Sequence, residues 1–305
     1  MLKKRLKYNI RQLRYLINEI PLIVNANKIN ARYKDIPANI NKVNIFQYHP
    51  EKKGFNLYKN APYNLGDSLG EVIVRFLLAQ RGIDINATVC HTKHLYCVGT
   101  NIHGGWQSAT IWGSGIYPAQ TKAKALLQKI VRRKLDIRAV RGPLTKQELE
   151  KYGYKCPAVF GDPAILMPMI YNPAKEKKYD YLVIPQFIKE VEFRENHPNE
   201  RMVSMNTNDY KYVIDEIVSS KILYTSSLHG IILAEAYGVP AVFYRGLQKY
   251  KDFKYYDYYY STGRKDIKIA ESFEEALTME PLPLPDLSKM RQDLLYSFPY
   301  DLWEY

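Results

Sequence analysis

The residues best suited to chemistry in this 305-residue chain form one short run between two apolar segments. The run contains His229, whose imidazole titrates near neutral pH and can therefore act as a general acid or base. It also predicts the start of a helix, which Ser226 or Ser227 can cap and where free N–H groups favour an anion. The run is Ser226, Ser227, Leu228, His229 and Gly230. Position alone leaves a second interpretation open, in which His229 only caps or packs.

The flanking segments predict how His229 is positioned. Residues 222–224 and 241–244 are predicted strands, and residues 228–237 are a predicted helix ended by Gly238. This unit is the repeating piece of a parallel α/β sheet. Ligands bind beyond the carboxyl ends of such strands, so His229 is expected at the binding edge.

Four further glycine-bearing turns follow predicted strands. Asp67 is expected to cap a helix over residues 68–80, and a role as base toward a hydroxyl is the alternative. Asp162 is expected to fix a turn, with a catalytic role as the alternative. Arg141 is the best candidate cation, because its planar fork binds phosphate or carboxylate at two points. The alternative is a surface arginine at the end of a strand. The turns comprise Asn64 to Asp67, Trp112 to Gly115 with Gly113 and Ser114, Arg141 to Pro143, and Gly161 to Pro163.

The alternation of apolar segments predicts an α/β fold in two halves facing a cleft. The charged, Pro-bearing residues 172–178 predict the boundary between the halves. Four parts follow: a basic helix and connector (1–42), a first half (43–172), a second half (178–280) and a tether with a last helix (281–305). The predicted elements include a strand at 43–48, a helix at 119–133, a strand at 202–205, and helices at 144–152, 209–219, 273–277 and 290–296. Pro143 suits the first turn of the helix at 144–152.

Composition limits the partners. The formal net charge of +13 favours anionic partners such as phosphate donors or acidic lipid. Nucleic acid is not expected, since the charge is spread along the chain and no binding motif appears. Three cysteines without paired spacing suggest a reducing compartment. No apolar run approaches the ~20 residues that span a bilayer.

The pattern of residues 1–20 predicts an amphipathic helix, for which two roles are open. Leucines and isoleucines recur on one helical face, and lysines and arginines occupy the other. Such a helix can lie on an anionic membrane surface. Alternatively, the apolar stripe packs on the body of the protein and the basic face is solvated.

Several other patterns argue against a cofactor or a metal. Gly113 to Gly115 lacks the third glycine of a dinucleotide site, and no phosphate loop or nucleophile elbow appears. His91 and His94 have a metal-like spacing that no third ligand completes, so we expect structural roles. His103 is a possible cleft residue, and a structural role is the default interpretation. The tyrosines between residues 255 and 260 can form an aromatic wall for a sugar, or simply core.

Taken together, the five turns resemble the polysaccharide pyruvyl transferase family. The resemblance covers about residues 43–265. It is carried by an N-x-G-D turn, a GSG turn, an R-G-P-x-T segment, a GDP turn and S-S-L-H-G-x-x-x-A-x-A-x-G-V-P. The corresponding residues are Asn64, Gly66, Asp67, Gly113 to Gly115, Arg141 to Pro143, Thr145, Leu149, Gly153, Gly161 to Pro163, Ser226 to Gly230, Ala234, Ala236 and Gly238 to Pro240.

The resemblance implies two Rossmann-like domains, similar to the GT-B glycosyltransferase arrangement. It also implies transfer of the enolpyruvyl unit of phosphoenolpyruvate to sugar hydroxyls of a surface polysaccharide, usually as a cyclic ketal. In some members an arginine precedes the Leu-His pair and contacts the donor, and Ser227 stands there in this chain. Whether Arg141, Arg245, Arg264 or a lysine holds the donor's second anionic group is therefore open.

The expected residue roles follow. The catalytic residues are expected to be His229 and Asp67. Donor binding is assigned to Arg141, Ser226, Ser227, Leu228, Gly230 and Arg245, and the acceptor or cleft to Asn64, Gly66, Gly113, Ser114, His103 and Asp162.

The expected protein is a cytoplasmic-side transferase that uses phosphoenolpyruvate as co-substrate and no cofactor. Its acceptor is a glycan, expected on a lipid carrier at the inner face of the membrane. A sugar-nucleotide glycosyltransferase of similar architecture is the first alternative. A non-catalytic glycan-binding relative is the second.

Overall fold

The computed structural model describes residues 43–45, 64–85, 93–102, 107–118, 133–174, 176–246 and 252–303. Four predictions lie outside these residues: the basic helix over residues 1–20, the helix over 119–133 except its last residue, and the positions of His91 and His103. Of the strand predicted at 43–48, residues 43–45 are described and are extended. None of the described helices is long and apolar enough to cross a membrane.

The first half of the chain builds a parallel four-stranded sheet. Its strands are adjacent in chain order, and an isolated parallel bridge joins Val140, just after the last strand, to Phe160. The strands are β1 (Val43–Ile45), β2 (Lys93–Tyr96), β3 (Ala109–Trp112) and β4 (Leu135–Ala139). Its helices are α1 (Leu65–Ala79) and α2 (Pro143–Lys151), and a 3-10 helix spans Pro163–Met169. Pro143 begins α2 as predicted, because its fixed φ suits the first turn.

The second half builds a parallel three-stranded sheet. The strands are β5 (Tyr179–Ile184), β6 (Ser220–Thr225) and β7 (Ala241–Phe243), again in chain order. The helices are α3 (Glu190–Asn196), α4 (Tyr210–Val218), α5 (Leu228–Ala236), α6 (Phe253–Ser261), α7 (Phe273–Leu277) and α8 (Ser288–Ser297). The α/β class predicted from the sequence is therefore confirmed.

The strand predicted at residues 202–205 is wrong in extent. Only Met202 bridges to β5, at Val183. The chain then turns, because the Ser204 hydroxyl accepts the Asn206 N–H at 2.9 Å. Apolar residues here contribute to the core without forming a strand.

One hydrophobic core joins elements of both sheets. It includes Leu65 and Ile73 of α1, Ile165 of the 3-10 helix, and Ile231 of α5. This shared core brings the starts of these three helices together. The irregular residues 171–174 and 176–178 coincide with the predicted boundary, and the division into domains stays a prediction.

Candidate active site

The turn before α5 is fixed by its own hydroxyl groups. Ser227 accepts the Gly230 N–H at 3.4 Å and caps the helix. Thr225 Oγ1 accepts the Ser227 N–H at 3.0 Å and donates to the Ile184 carbonyl of the neighbouring strand at 2.6 Å. Gly230 is required here, since a Cβ would lie 2.5 Å from Thr225 Oγ1. The cap predicted from the sequence is confirmed, and it sets the direction of the next side chain, His229.

His229 projects onto α1 and toward a buried carboxylate. Its ring lies so close to Gly66 that a Cβ on that glycine would fall 1.7 Å from Nδ1. Its Nε2 is 3.7 Å from Oδ2 of Asp162. His229 is 8% exposed and Asp162 is 0% exposed. Neither of the two facing atoms has a hydrogen-bond partner among the described residues. The arrangement can share a proton, or accept one polar group from a ligand.

Asp162 is held from the other side by the turn that it fixes. Its Oδ1 accepts the Ala164 N–H at 3.1 Å and caps the 3-10 helix. Gly161 has φ of 146°, a region that favours glycine, and its N–H donates to the Val140 carbonyl at 3.0 Å. The predicted turn is confirmed. Oδ2 is thereby left pointing at His229.

Asp67 lies in the first turn of α1, and the prediction that it caps the helix is wrong. The Asn64 carbonyl accepts the Ser68 N–H at 3.1 Å, so the helix begins at Leu65, one turn earlier than expected. Asp67 therefore uses its side chain differently. Asn64 Nδ2 donates to Asp67 Oδ2 at 2.9 Å, and Asn101 Nδ2 lies 3.5 Å from Oδ1.

Burial shapes the acidity of Asp67, which is only 7% exposed. Burial raises its pKa from 3.8 to about 6, while the charge of nearby His229 and the contact with Asn101 oppose that rise. The negative charge of Asp162 acts in the same direction as burial. Asp67 can therefore hold and release a proton close to neutral pH, as an acid–base group requires.

The loops after β2 and β3 support Asp67. Gly99 has φ of 91°, and a Cβ there would fall 2.1 Å from Asp67 Oδ1. The Ser114 hydroxyl donates to the Gly99 carbonyl at 3.0 Å and accepts the Asn101 N–H at 3.3 Å. Gly113 lets Pro163 approach, since a Cβ on it would lie 2.3 Å from that ring. Ser114 and Gly113 thus position loops, and the structure brings both to this region.

Sequence reasoning missed Gly99 and Asn101. Their signal was the Gly99-Thr100-Asn101 run directly after the apolar residues 95–98, which repeats the pattern of the other turns.

His229, Asp162 and Asp67 all lie within one stretch that matches a known domain. Residues 64–245 match the polysaccharide pyruvyl transferase domain. The chain belongs to the polysaccharide pyruvyl transferase family. Membership implies a transferase with a general role in pyruvyl transfer and a polysaccharide acceptor. The chain is also similar to the uncharacterized protein L143 of Acanthamoeba polyphaga mimivirus, at 25% identity over 207 residues, which cover 64% of this chain and 69% of that protein.

Within the pyruvyl transferase domain, Arg141 lies in a buried ion pair. Its Nε is 3.1 Å from Asp257 Oδ2, and its Nη1 donates to Thr100 Oγ1 at 2.7 Å. Both Arg141 and Asp257 are 0% exposed. Gly115 makes room for the guanidinium, since a Cβ there would lie 2.3 Å from it. Arg141 Nη2 is buried and has no partner among the described residues. Donor binding by Arg141 stays a prediction.

The other predicted donor residues are also engaged. Arg245 pairs with Asp252 at 2.7 Å and with Glu271. The Ser226 hydroxyl accepts the Gln186 N–H at 2.8 Å. Leu228 is buried in the shared core. Their roles toward the pyruvyl donor stay predictions.

Two further predictions concern metals and sugars. Among the described residues, no group of three or more His, Cys, Asp or Glu side chains could hold a metal ion. His94 lies in β2, and His91 is outside the described residues. The tyrosine cluster lies on α6, where Tyr255, Tyr258 and Tyr259 are buried. These three tyrosines are core residues, so the aromatic wall is wrong for them.

Proposed function

We propose that this protein transfers the enolpyruvyl unit of phosphoenolpyruvate to two hydroxyls of a sugar, forming a pyruvate ketal on a surface polysaccharide or its lipid-linked precursor. The family match supports pyruvyl transfer in general. The observation that carries the proposal is the pair of facing, unpartnered polar atoms on His229 and Asp162. A buried polar atom without a partner costs about 1–3 kcal/mol, so its retention favours a role with substrate.

The proposed reaction has a defined proton balance. A proton adds to the CH₂ carbon of the donor, and positive charge develops at the adjacent carbon. One sugar hydroxyl forms a C–O bond there, the C–O bond to phosphate breaks, and the second hydroxyl closes the ketal. The two hydroxyls release two protons, of which one replaces the proton consumed and the other leaves with phosphate. The site therefore needs groups that give and take protons near neutral pH.

The residues divide these tasks in the proposal. His229 is the proton donor toward the donor carbon or the leaving phosphate, and the Asp162 carboxylate stabilises its charged form at 3.7 Å. Asp67, whose pKa burial raises to about 6, accepts a proton from a sugar hydroxyl. Arg141, with one buried N–H group without a described partner, is a candidate for the donor's anionic groups.

The wider context is part of the same proposal. Two parallel sheets from consecutive halves of the chain support a GT-B-like arrangement of two Rossmann-like domains. No resident cofactor is proposed, since phosphoenolpyruvate brings its own leaving group. Residues 1–20 are proposed to hold the enzyme on the inner face of the cytoplasmic membrane. Unchanged partition onto anionic liposomes after deletion of these residues would contradict this part.

Mass spectrometry tests the reaction directly. Candidate lipid-linked glycans are incubated with phosphoenolpyruvate and the full chain, and release of inorganic phosphate is followed in parallel. The expected product carries one added pyruvate with loss of water. Binding of glycan without phosphate release would indicate a non-catalytic glycan-binding protein. Thermal stabilisation by a nucleoside diphosphate but not by phosphoenolpyruvate would indicate a sugar-nucleotide glycosyltransferase.

A further inference from the structure

The two facing side chains of the candidate site, His229 and Asp162, belong to different elements. His229 is the second residue of α5, and Asp162 caps the 3-10 helix over Pro163–Met169. The facing atoms have no hydrogen-bond partner among the described residues. The distance of 3.7 Å between them therefore depends on how the two elements are held against each other.

Helix α8 contacts both of these elements through one side chain, that of Arg291. Arg291 Nε donates to the Ile165 carbonyl at 3.0 Å, and its Nη2 donates to the Ala236 carbonyl at 2.8 Å. Ile165 follows Asp162 in the 3-10 helix, and Ala236 is the last residue of α5, whose first turn carries His229. One guanidinium thus bonds both elements that carry the facing pair. It lies outside the matched domain, which ends at residue 245.

The two carbonyls suit an arginine for different reasons. In a 3-10 helix the Ile165 carbonyl would accept the N–H three residues on, and that residue is Pro168, which has no N–H. The Ala236 carbonyl lies at the end of α5, where carbonyls lack partners within the helix and a positive charge is favourable. A planar guanidinium presents its N–H groups in fixed directions, so it can hold two carbonyls at a set separation.

The same helix packs on the turn that begins the 3-10 helix. A Cβ on Gly161 would lie 2.8 Å from Met290 Cγ and 2.9 Å from Leu294 Cδ1. Both of these α8 side chains are buried. Trp112 Nε1, from β3, donates to the Leu294 carbonyl at 3.0 Å. The helix that carries the arginine is therefore itself fixed against the first sheet and the turn.

We propose that Arg291 is a positioning residue that sets the distance between His229 Nε2 and Asp162 Oδ2. Its consequence for turnover rests on the proposed function. Arg291 acts by holding two elements together, and a relative shift of these elements would separate the pair. A displacement of about 1 Å at a reacting group can reduce a rate about 100-fold, so loss of the link should lower kcat.

Nitrogen NMR on the full chain tests the positioning without reliance on turnover. The histidines are labelled with ¹⁵N, and the side-chain resonance of His229 is assigned by its loss in His229→Asn. At one fixed pH, Arg291→Met should shift this resonance in the same direction as Asp162→Asn, because both changes weaken the contact between imidazole and carboxylate. Lys289→Met removes an exposed cation of the same helix, which pairs with Asp293. It is the matched control and should leave the resonance in place.

A double-mutant cycle on phosphate release from phosphoenolpyruvate tests the consequence for turnover. Arg291→Met should lower kcat about 10-fold and leave KM nearly unchanged, because the arginine is not proposed to contact the donor. In the Asp162→Asn background the same substitution should lower kcat less than about 2-fold, since the pair is already broken and the two effects do not add. Arg291→Lys should have an intermediate kcat, because one ammonium can replace one of the two N–H contacts.

The contradicting outcomes are distinct. If folded Arg291→Met leaves the His229 resonance and kcat unchanged, the inference is wrong and the proposed function stands. If kcat falls equally with and without the Asp162 carboxylate, the role of Arg291 is merely structural and the inference is also wrong. If the unmodified chain releases no phosphate from phosphoenolpyruvate, the proposed function fails, and the resonance comparison alone decides the inference. Thermal unfolding confirms that the variants are folded, and Arg291→Lys replaces Arg291→Met in each comparison if the latter does not fold.

Discussion

Two buried aspartates of this protein differ in how completely their carboxylate oxygens are hydrogen-bonded. Asp257 on α6 is fully paired: Thr145 N donates to its Oδ1 at 2.9 Å, and Arg141 Nε and the Thr145 hydroxyl donate to Oδ2 at 3.1 and 2.6 Å. Asp162 has only Oδ1 paired, with the Ala164 N–H, and its Oδ2 faces His229 without a described hydrogen-bond partner. Both side chains are completely buried.

We expect the two carboxylates to have different roles, Asp257 in holding the fold together and Asp162 at the candidate active site. A buried carboxylate whose oxygens are all paired can fix the fold, and here it links α6 to the Arg141 loop. A buried carboxylate with a vacant oxygen beside a histidine adds no comparable stability. The first cluster should therefore control unfolding, and the second should control turnover.

The largest effect is expected from His229→Asn. Loss of the proton-transfer group should reduce phosphate release from phosphoenolpyruvate about 10²- to 10⁴-fold, with little change in the unfolding free energy. Steady-state kinetics and denaturant unfolding measure the two quantities. His197→Asn is a matched control, since His197 lies away from this cluster, 3.5 Å from Glu274. Near-normal turnover by a folded His229→Asn protein would remove the catalytic role.

Asp257→Ala should act on the other cluster. It leaves the completely buried Arg141 without its ion-pair partner, and the expected loss is about 3–5 kcal/mol of unfolding free energy. Urea unfolding measures this change. The double variant Arg141→Met/Asp257→Leu removes both charges and should recover part of the loss. If the unfolding free energy of Asp257→Ala lay within about 1 kcal/mol of that of the unmodified protein, the structural role would be contradicted, because changes of that size are ordinary for single substitutions.

Local sequence patterns predicted a helix cap and a helix start near these aspartates better than they predicted which distant side chains form pairs. A serine cap before α5, which is Ser227, and Pro143 as a helix start depend on neighbours within a few residues, and both are confirmed. The spacing of Tyr255, Tyr258 and Tyr259 is also local, and it indicates one buried helical face. That spacing was available as a signal against an aromatic wall.

The tertiary pairs could not be predicted from local patterns. Asp257 lies 116 positions after Arg141, and no spacing in the sequence indicates that they meet. The start of α1 was misplaced for a related reason. Leu65 N donates to the Met205 carbonyl at 2.9 Å, a contact from the other half of the chain that the sequence around Asp67 does not reveal.

The next largest effect concerns pH and Asp67. Because burial raises the pKa of Asp67 to about 6, the folded protein retains a proton that the unfolded chain has already released. The contribution of this proton to the unfolding free energy is fully present below about pH 4 and is lost as the pH rises through 6. At about 1.4 kcal/mol per pKa unit, the loss is about 2–3 kcal/mol.

Asp67→Asn cannot titrate and should lack this loss. The unfolding free energy of the unmodified protein, relative to Asp67→Asn, should therefore fall by about 2–3 kcal/mol between pH 4 and pH 7. Urea unfolding at several pH values measures the difference. Asp266→Asn, at an exposed position, should run parallel to the unmodified protein. Parallel curves for Asp67→Asn as well would show that burial does not perturb this carboxyl group.

The smallest effect, and the most direct test of the comparison, is expected from Asp162→Asn. The amide oxygen can still accept the Ala164 N–H that caps the 3-10 helix, so the fold should be retained. What changes is the group that faces His229 Nε2 at 3.7 Å. Without the carboxylate, the charged imidazole loses its stabilising partner, and kcat should fall about 10- to 100-fold. The dissociation constant of phosphoenolpyruvate should change little, because Asp162 is proposed to act through His229. A structural aspartate would give the reverse result, with unfolding shifted to lower urea and kcat preserved in the folded fraction. That result would place Asp162 in the same class as Asp257.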